Sequence, residues 1–150
     1  MSQEFQIFVD GGSSGNPGIA AIGVCIRQNK KIVRTISQYI GQVTNNIAEY
    51  TACIYGLQEA LMLGAQNIKV FTDSELLYQQ IVGRYKINNP NLKFLHAMIM
   101  HLCKGFERIE FKQIPREKNQ EADKLASEAI KNEQAKMVAP MLQLFDSNKE

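Results

Sequence analysis

Residues 5–18 read Phe-Gln-Ile-Phe-Val-Asp-Gly-Gly-Ser-Ser-Gly-Asn-Pro-Gly, so an apolar run leads into an aspartate and a cluster of glycines. The apolar run is typical of a β-strand, and the glycines indicate a loop after it, so we expect the first strand to end at Asp10. The cluster lacks the glycine spacing and the following helix of a dinucleotide-binding fingerprint, and it lacks the Gly-Lys-Ser/Thr of a P-loop. A tight hairpin loop is therefore predicted, with Asp10 left accessible to a bulky ligand.

Two further β-rich runs follow, at residues 20–27 and 31–40. Only Gln28-Asn-Lys separates them, which is the spacing of a tight hairpin. The first three strands are therefore predicted to be antiparallel neighbours.

The hydrophobic period changes after Thr44, where apolar residues recur at helical spacing as far as Gly64, a typical helix stop. This helix is expected to carry Glu49 in its first turn. A short strand, residues 68–72, then runs directly into Asp73, and the serine after it is expected to cap a second helix. A strand, a helix and another strand in this order imply a right-handed parallel crossover.

The second half of the chain continues the alternation of helices and strands. The pattern predicts a helix from Leu92 to about Lys104, a half-buried strand over residues 109–114, and a last helix that Asn119 can cap, with Asp123 in its first turn or so. The apolar stripe of the third helix, predicted as core packing, consists of Leu95, Met98, Ile99 and Leu102. The fold class is thus α/β, a mixed five-stranded sheet of three antiparallel strands followed by parallel strands and flanked by helices.

Length and composition favour one domain, because 150 residues of which 45% are hydrophobic can bury a full core without disulfide or zinc. We assign residues 1–133 to this domain and residues 134–150 to a C-terminal tail that packs on the domain's sheet, contacts a partner or is partly flexible. No apolar run reaches the roughly 18–20 residues of a membrane span, and the first residues lack a signal peptide's pattern. A cytoplasmic protein without membrane contact is expected.

The cysteines and histidines do not form a metal-binding pattern. Cys25, Cys53 and Cys103 are widely separated inside apolar segments, which favours buried free thiols. His96 and His101 share one helical segment with no acidic residue or cysteine at ligand spacing, so we expect surface or half-buried side chains.

Four acidic residues follow strand ends or lie near helix starts. Asp10 and Asp73 end two strands that are predicted to be parallel neighbours, so both carboxylates lie at the carboxyl edge of the sheet, where open α/β sheets bind ligands. Glu49 and Asp123 lie near the starts of helices that can reach the same edge. We therefore expect four acids from four elements to meet at one place.

Carboxylates that lie this close repel each other, and burial raises the cost, so a compensating cation is expected. Oxygen ligands without histidine or cysteine favour Mg²⁺ or Mn²⁺. Two such ions roughly 3.5–4 Å apart can activate water and stabilise the leaving oxygen of a phosphodiester. In the alternative interpretation each acid acts separately, as a turn residue, a cap neighbour or a first-turn acid, and spacing alone does not decide between the two.

Four segments resemble, in order and spacing, the ribonuclease H type I family: Asp10–Gly18, Thr44–Glu49, Thr72–Ser74 and Ile114–Ala126. Each segment contains one of the four acids, and the resemblance covers about residues 4–131. Within that family the chain most resembles the bacterial and archaeal branch that lacks the handle, a basic segment that bears tryptophan in some members.

This resemblance implies an endonuclease that cleaves the RNA strand of RNA–DNA hybrids and leaves a 5′-phosphate. It implies that Asp10, Glu49, Asp73 and Asp123 are the catalytic residues and hold two Mg²⁺ ions, with Mn²⁺ as a possible substitute. The family distinguishes RNA through consecutive 2′-hydroxyls. The matching substrate-binding positions are the backbone of Gly11, Gly12 and Ser13, the side chains of Asn16, Asn45, Asn46 and Glu49, Thr44 for a DNA-strand phosphate, and Glu75 beside the RNA minor groove.

The chain departs from the family pattern in three places. Many members have a histidine in the loop before the last aspartate, whereas here Arg116-Glu-Lys-Asn occupies that loop, so Arg116 or Glu117 is a candidate substitute. Glu75 stands where many members have glutamine. The tryptophan-bearing basic handle is replaced by a short connection, and the remaining basic and aromatic candidates nearby are Arg84, Tyr85, Lys86 and Lys93.

Two other functions remain open at this stage. One is a nuclease of the same fold with broader substrates, including double-stranded RNA, and the other is a module that binds hybrids without cleaving them. In each case nucleic acid is the expected partner, and we expect a monomer with no obligatory protein partner. The net charge of +2 is compatible with nucleic-acid binding. Once the four candidate ligands are set aside, the rest of the chain has 17 basic and only 11 acidic residues.

Overall fold

The computed structural model describes residues 3–147, except the side chains of residues 139 and 141–147. Its elements are β1 (Glu4–Ser13), β2 (Gly18–Gln28), β3 (Lys31–Val43), α1 (Asn45–Met62), β4 (Asn67–Thr72), α2 (Glu75–Ile81), α3 (Pro90–Cys103), β5 (Arg108–Gln113), a 3₁₀ turn (Arg116–Lys118) and α4 (Gln120–Ser147).

The strands form one sheet in the order β3-β2-β1-β4-β5. The strands β1, β2 and β3 are antiparallel neighbours, whereas β4 is parallel to both β1 and β5. The predicted fold class is thus confirmed. The predicted hairpin between β2 and β3 is confirmed, but Gln28 belongs to β2, and the turn consists of Asn29 and Lys30 alone, with positive φ angles of 52° and 65°.

The first strand does not end at Asp10, contrary to the prediction. It continues to Ser13 because β2 supplies antiparallel partners along the whole segment, up to the pair Ser13 and Ala20. The parallel partner β4, in contrast, follows β1 only as far as the pair Phe8 and Phe71. Asp10 therefore lies within a strand, at the place where β1 and β4 separate.

Helices cover both faces of the sheet. On one face, the position of Gly56 in α1 brings this helix against Ile7 and Val9. On the other face, a Cβ atom on Gly23 would lie 2.0 Å from the carbonyl oxygen of Ala122, so the backbone of α4 contacts β2 directly. The core consists mainly of aliphatic side chains from the sheet and from α1.

The three cysteines are free thiols, as predicted, with Cys25 and Cys53 buried and Cys103 half-buried. On α3, Ile99 is buried and Met98 is 36% exposed, so the predicted stripe lies only partly in the core. This helix also begins earlier than predicted, because Asn89 accepts hydrogen bonds from the first-turn amides and Pro90 is tolerated at the first helical position.

The helix α1 starts at Asn45, with Thr44 as its cap, so Glu49 is its fifth residue. The prediction that Glu49 lies in the first turn was therefore wrong, because the cap fixes the start of the helix one turn earlier. An interaction with the helix dipole, which falls off within the first turn, does not account for a carboxylate at this place.

The last helix continues well beyond residue 133. It passes through Pro140 to Ser147, and its last buried side chain among the described residues is Ala129. Met137 and Val138 are 42% and 50% exposed. The side chains of residues 141–147 lie outside the described ones, and the boundary at residue 133 stays a prediction. Within residues 3–147, no helix combines the length and the apolar character that a bilayer span requires.

Candidate active site

Three acidic side chains form a tight cluster at the edge of the sheet. Oxygen atoms of Asp10, Glu49 and Asp73 all lie within 4.8 Å of one another. Asp10 and Glu49 are only 8% and 5% exposed, and Asp73 is half-buried. The three residues come from β1, α1 and the end of β4, so the fold brings together acids that are far apart in the chain.

The sheet fixes the two aspartates relative to each other. Phe8 and Phe71 are paired residues of β1 and β4 whose rings stack at 4.7 Å, and each aspartate follows its phenylalanine by two residues. Because side chains alternate along strands, Asp10 and Asp73 point to the same face as this ring pair. They therefore face each other where the two strands separate.

Glu49 reaches the cluster because α1 lies unusually close to β1. A Cβ atom on Gly11 would lie 2.2 Å from the carbonyl carbon of Ala48, so only glycine permits this approach. The amide of Gly11 donates a buried hydrogen bond of 2.6 Å to Glu49 Oε1. The strand thus fixes the orientation of the carboxylate through the residue that follows Asp10.

The fourth predicted acid, Asp123, lies at the rim of the same cleft. It is not part of the tight group of three, and its side chain, 36% exposed, forms an ion pair of 3.6 Å with Arg116. Four acids therefore line one cleft of about 430 Å³. Oxygens of three of them lie within 4.8 Å of one another, and α4 places the fourth, Asp123, beside Asp10.

Burial and mutual repulsion control the protonation of the cluster. The pKa of Asp10 is raised, chiefly by burial and then by the charges of Glu49 and Asp73. The pKa of Glu49 is raised to about 7, again chiefly by burial, although the Gly11 hydrogen bond opposes this increase. Without a cation the cluster therefore retains a proton at neutral pH. An all-carboxylate donor set that resists ionisation on its own fits a hard divalent cation such as Mg²⁺.

We expect the stability of the metal-free protein to fall as the pH rises from about 4 into the neutral range. Because the pKa values of Asp10 and Glu49 are raised on folding, the folded state binds more protons than the unfolded state above the ordinary carboxyl pKa values of 3.8 for aspartate and 4.5 for glutamate. The slope is at most about 1.4 kcal/mol per pH unit for each retained proton. Urea denaturation in EDTA at several pH values measures it, with Asp10→Asn as the comparison. If the difference in unfolding free energy between the wild type and Asp10→Asn stays constant or rises with pH, the raised pKa of Asp10 is contradicted.

The residues predicted to contact substrate are distributed around this cleft. Those that line it are Gly11, Gly12, Ser13 and Asn45. Asn16 lies in the β1–β2 loop and accepts a hydrogen bond of 3.2 Å from the Asn45 amide, while Thr44 caps α1. Asn46 and Glu75 are exposed and are not among the residues that line the cleft, and Glu75 accepts a hydrogen bond of 2.8 Å from the Tyr85 hydroxyl.

Two residues that shape the site were not predicted to do so. Gly23 allows the close contact of β2 with α4, the helix that carries Asp123. The side chain of Asn119 donates hydrogen bonds to Val9 O and to Asp73 Oδ2 and does not cap α4, contrary to the prediction. The sequence offers no local signal for either role, since both depend on contacts between distant segments.

No histidine lines the described cleft, and Arg116 occupies its rim instead. His96 and His101 both lie on α3, half-buried and exposed respectively, as predicted. The helices α2 and α3 are joined directly by residues 82–89, so the described structure has the short connection that the sequence predicted in place of a handle.

A mixed sheet of this strand order, with an acidic cleft where β1 and β4 separate, defines an α/β domain of the ribonuclease H-like class. Comparisons with known proteins identify the family within this class. Residues 8–129 match the family described as Reverse transcriptase-like. The bifunctional protein Rv2228c of Mycobacterium tuberculosis is 40% identical over 126 residues, which are 83% of this chain and 35% of that protein. The chain thus spans about a third of the length of this relative.

Two solved structures are similar along nearly their whole length. RNase H1 of Halobacterium salinarum has a TM-score of 0.84 and 35% identity, over 86% of this chain and 98% of that one. LC11-RNase H1, isolated from compost by a metagenomic approach, was solved with an RNA/DNA hybrid and has a TM-score of 0.82 and 40% identity, over 87% and 99% of the two chains. The chain belongs to the ribonuclease H type I family, as its sequence motifs predicted.

Proposed function

We propose that the protein is an endoribonuclease that hydrolyses the RNA strand of RNA–DNA hybrids and leaves a 5′-phosphate. The observation that carries this proposal is the cluster of Asp10, Glu49 and Asp73 in an open cleft beside Asp123. The same fold, at 40% identity, has been solved with a hybrid bound in LC11-RNase H1. A module that only binds nucleic acid gains nothing from carboxylates that repel the phosphate backbone.

Asp10, Glu49, Asp73 and Asp123 would hold two Mg²⁺ ions, with Mn²⁺ as a substitute. When bound, these ions supply an activated water and stabilise the oxygen that leaves phosphorus. The protein prepares this site in advance, since two ligands stand on adjacent strands and the third is fixed by the Gly11 amide. Asp123 is more exposed than the buried Asp10 and Glu49, and its carboxylate forms an ion pair with Arg116.

The hybrid would be recognised beside these acids by the backbone of Gly11–Ser13 and by Asn16, Asn45 and Asn46. The amide of Gly11 is already donated to Glu49, so its carbonyl is the group that remains for the substrate. Asn16 uses Oδ1 to accept from Asn45, which leaves its Nδ2 group to donate to a 2′-hydroxyl. Thr44 and Glu75 would contact the DNA-strand phosphate and the minor groove respectively.

Cleavage assays on matched duplexes test this proposal directly. One labelled sequence is presented as an RNA–DNA hybrid, as double-stranded RNA and as double-stranded DNA, with Mg²⁺, Mn²⁺ or EDTA. We expect cleavage of the hybrid alone, 5′-phosphate ends, and no product in EDTA. Equal cleavage of double-stranded RNA would establish a broader nuclease, and tight binding without product in either metal would establish a binding module.

We also infer that the active form is a monomer without an obligatory protein partner. The four acids and the predicted substrate contacts all come from a single chain. The rate per mole of protein should therefore not change with protein concentration, and a rate that rises with concentration would indicate assembly.

A further inference from the structure

A buried amide joins the three segments that carry the aspartates of the cleft. Asn119 is 1% exposed, and its Nδ2 group donates to Val9 O at 2.9 Å and to Asp73 Oδ2 at 3.2 Å. Its backbone carbonyl accepts a hydrogen bond of 3.1 Å from the Asp123 amide. Asn119 therefore contacts the residue before Asp10, the carboxylate of Asp73 and the backbone of Asp123.

The orientation of this amide is determined by its neighbours. Val9 O and Asp73 Oδ2 are both acceptors, so only the NH₂ group of Asn119 can face them. Its other atom, Oδ1, is buried, and no donor among residues 3–147 pairs with it. An unpaired buried carbonyl destabilises a fold, so its presence calls for a compensating role of the NH₂ group.

Helix capping does not supply that role. A capping asparagine accepts amide hydrogens of the first turn through Oδ1, as Asn89 does for Asn91 and Leu92 at the start of α3. Oδ1 of Asn119 accepts none. The side chain at the start of α4 is thus directed to the acidic cluster instead of its own helix.

We propose that Asn119 is a positioning residue that holds the Asp73 carboxylate towards Asp10 and Glu49 and ties it to the helix that bears Asp123. The proposal rests on the proposed function only in taking Asp73 as a functional ligand. Three carboxylates that repel each other would otherwise separate by rotation of the most exposed one, and Asp73 is more exposed than the other two. The NH₂ donor opposes this rotation and preorganises the cluster for a cation.

Metal binding and kinetics test the proposal with a matched pair of variants. Asn119→Ala removes the donor, whereas Asn89→Ala removes a true helix cap outside the cleft. For Asn119→Ala we expect the Mn²⁺ dissociation constant, measured by calorimetry, to rise about tenfold, and kcat on the hybrid to fall about tenfold at limiting metal. The KM for hybrid should stay within twofold, and Asn89→Ala should match the wild type in all three. If the two variants behave alike, the proposal is overturned.

Asn119→Asp separates positioning from capping. Aspartate caps helices as well as asparagine does, but it has no donor for Asp73. We expect kcat of this variant at limiting metal to be at least as low as that of Asn119→Ala under the same conditions. Full activity would show that Asn119 serves α4 alone.

A thermodynamic cycle in EDTA tests the contact without metal or substrate. Asn119→Ala should change the unfolding equilibrium constant by roughly fivefold more in the wild-type background than in Asp73→Ala, because the contact is already lost in the second background. Additive effects would contradict the proposal. Since this measurement needs no cleavage, it remains decisive even if the protein proves inactive on hybrids, which would contradict only the proposed function.

Discussion

Asp73→Asn is expected to abolish hybrid cleavage while the protein stays folded. The substitution removes one carboxylate of the proposed metal site, and the loss of several kcal/mol of transition-state stabilisation corresponds to about a thousandfold or more in kcat. An asparagine at this position has the same shape and keeps an oxygen that can accept the hydrogen bond from Asn119 Nδ2. The preceding strand and the Ser74 cap of α2 do not depend on the charge.

The same variant should not be less stable than the wild type in EDTA. The charge of Asp73 is one of the causes that raise the pKa of Asp10, so its removal relieves repulsion within the cluster. Glu128→Gln is the matched control, because it removes one negative charge from an exposed position of α4 outside the acidic cleft. Single-turnover cleavage and urea denaturation of both variants give the result. Retained cleavage by Asp73→Asn would falsify the two-metal assignment.

Gly11→Ala is expected to cost about 3 kcal/mol of unfolding free energy, the upper range for inserting a methyl group into a packed contact. The added Cβ would lie 2.2 Å from the carbonyl carbon and oxygen of Ala48 and 2.5 Å from the Glu49 nitrogen, and all of these are backbone atoms that cannot rotate away. To relieve the clash, α1 must move away from β1, which lengthens or breaks the hydrogen bond from the Gly11 amide to Glu49. Activity should therefore fall together with stability.

Gly12→Ala provides the comparison one residue further along the strand. Its Cβ would lie 3.6 Å from the Ile130 Cδ1 atom, an ordinary contact with the end of a flexible side chain. We expect a change in unfolding free energy of about 0.5 kcal/mol or less. Urea denaturation of the two variants measures the difference, and equal stability would show that α1 and β1 are not in tight contact at Gly11.

Much of the fold follows from local patterns that act over a few residues. The hairpin between β2 and β3, the Thr44 cap and the Ser74 cap all depend on neighbours within four residues. The hairpin and the Ser74 cap were predicted, whereas the Thr44 cap was not. The end of β1 was not predicted, because the glycines after Asp10 stay extended only when β2 pairs with them. The length of α4 was not predicted either, because Pro140 indicates a break when only the local sequence is considered.

The sequence by itself determined which family the chain joins and predicted which four acids meet in one cleft. Asp10, Glu49, Asp73 and Asp123 could be found because each lies within a short segment of characteristic spacing, and spacing is a property of the chain. The sequence could not say that oxygens of three of these acids lie within 4.8 Å of one another while the fourth forms an ion pair with Arg116.

Only the tertiary structure decided that geometry. The contact of the Gly11 amide with Glu49 and the contact of Asn119 with Asp73 join residues separated by 38 and 46 positions. Such contacts depend on how closely a helix approaches a strand, which side-chain volume and backbone sterics set across the packed interior. The same burial raises the pKa values of Asp10 and Glu49, an effect that the composition alone does not show.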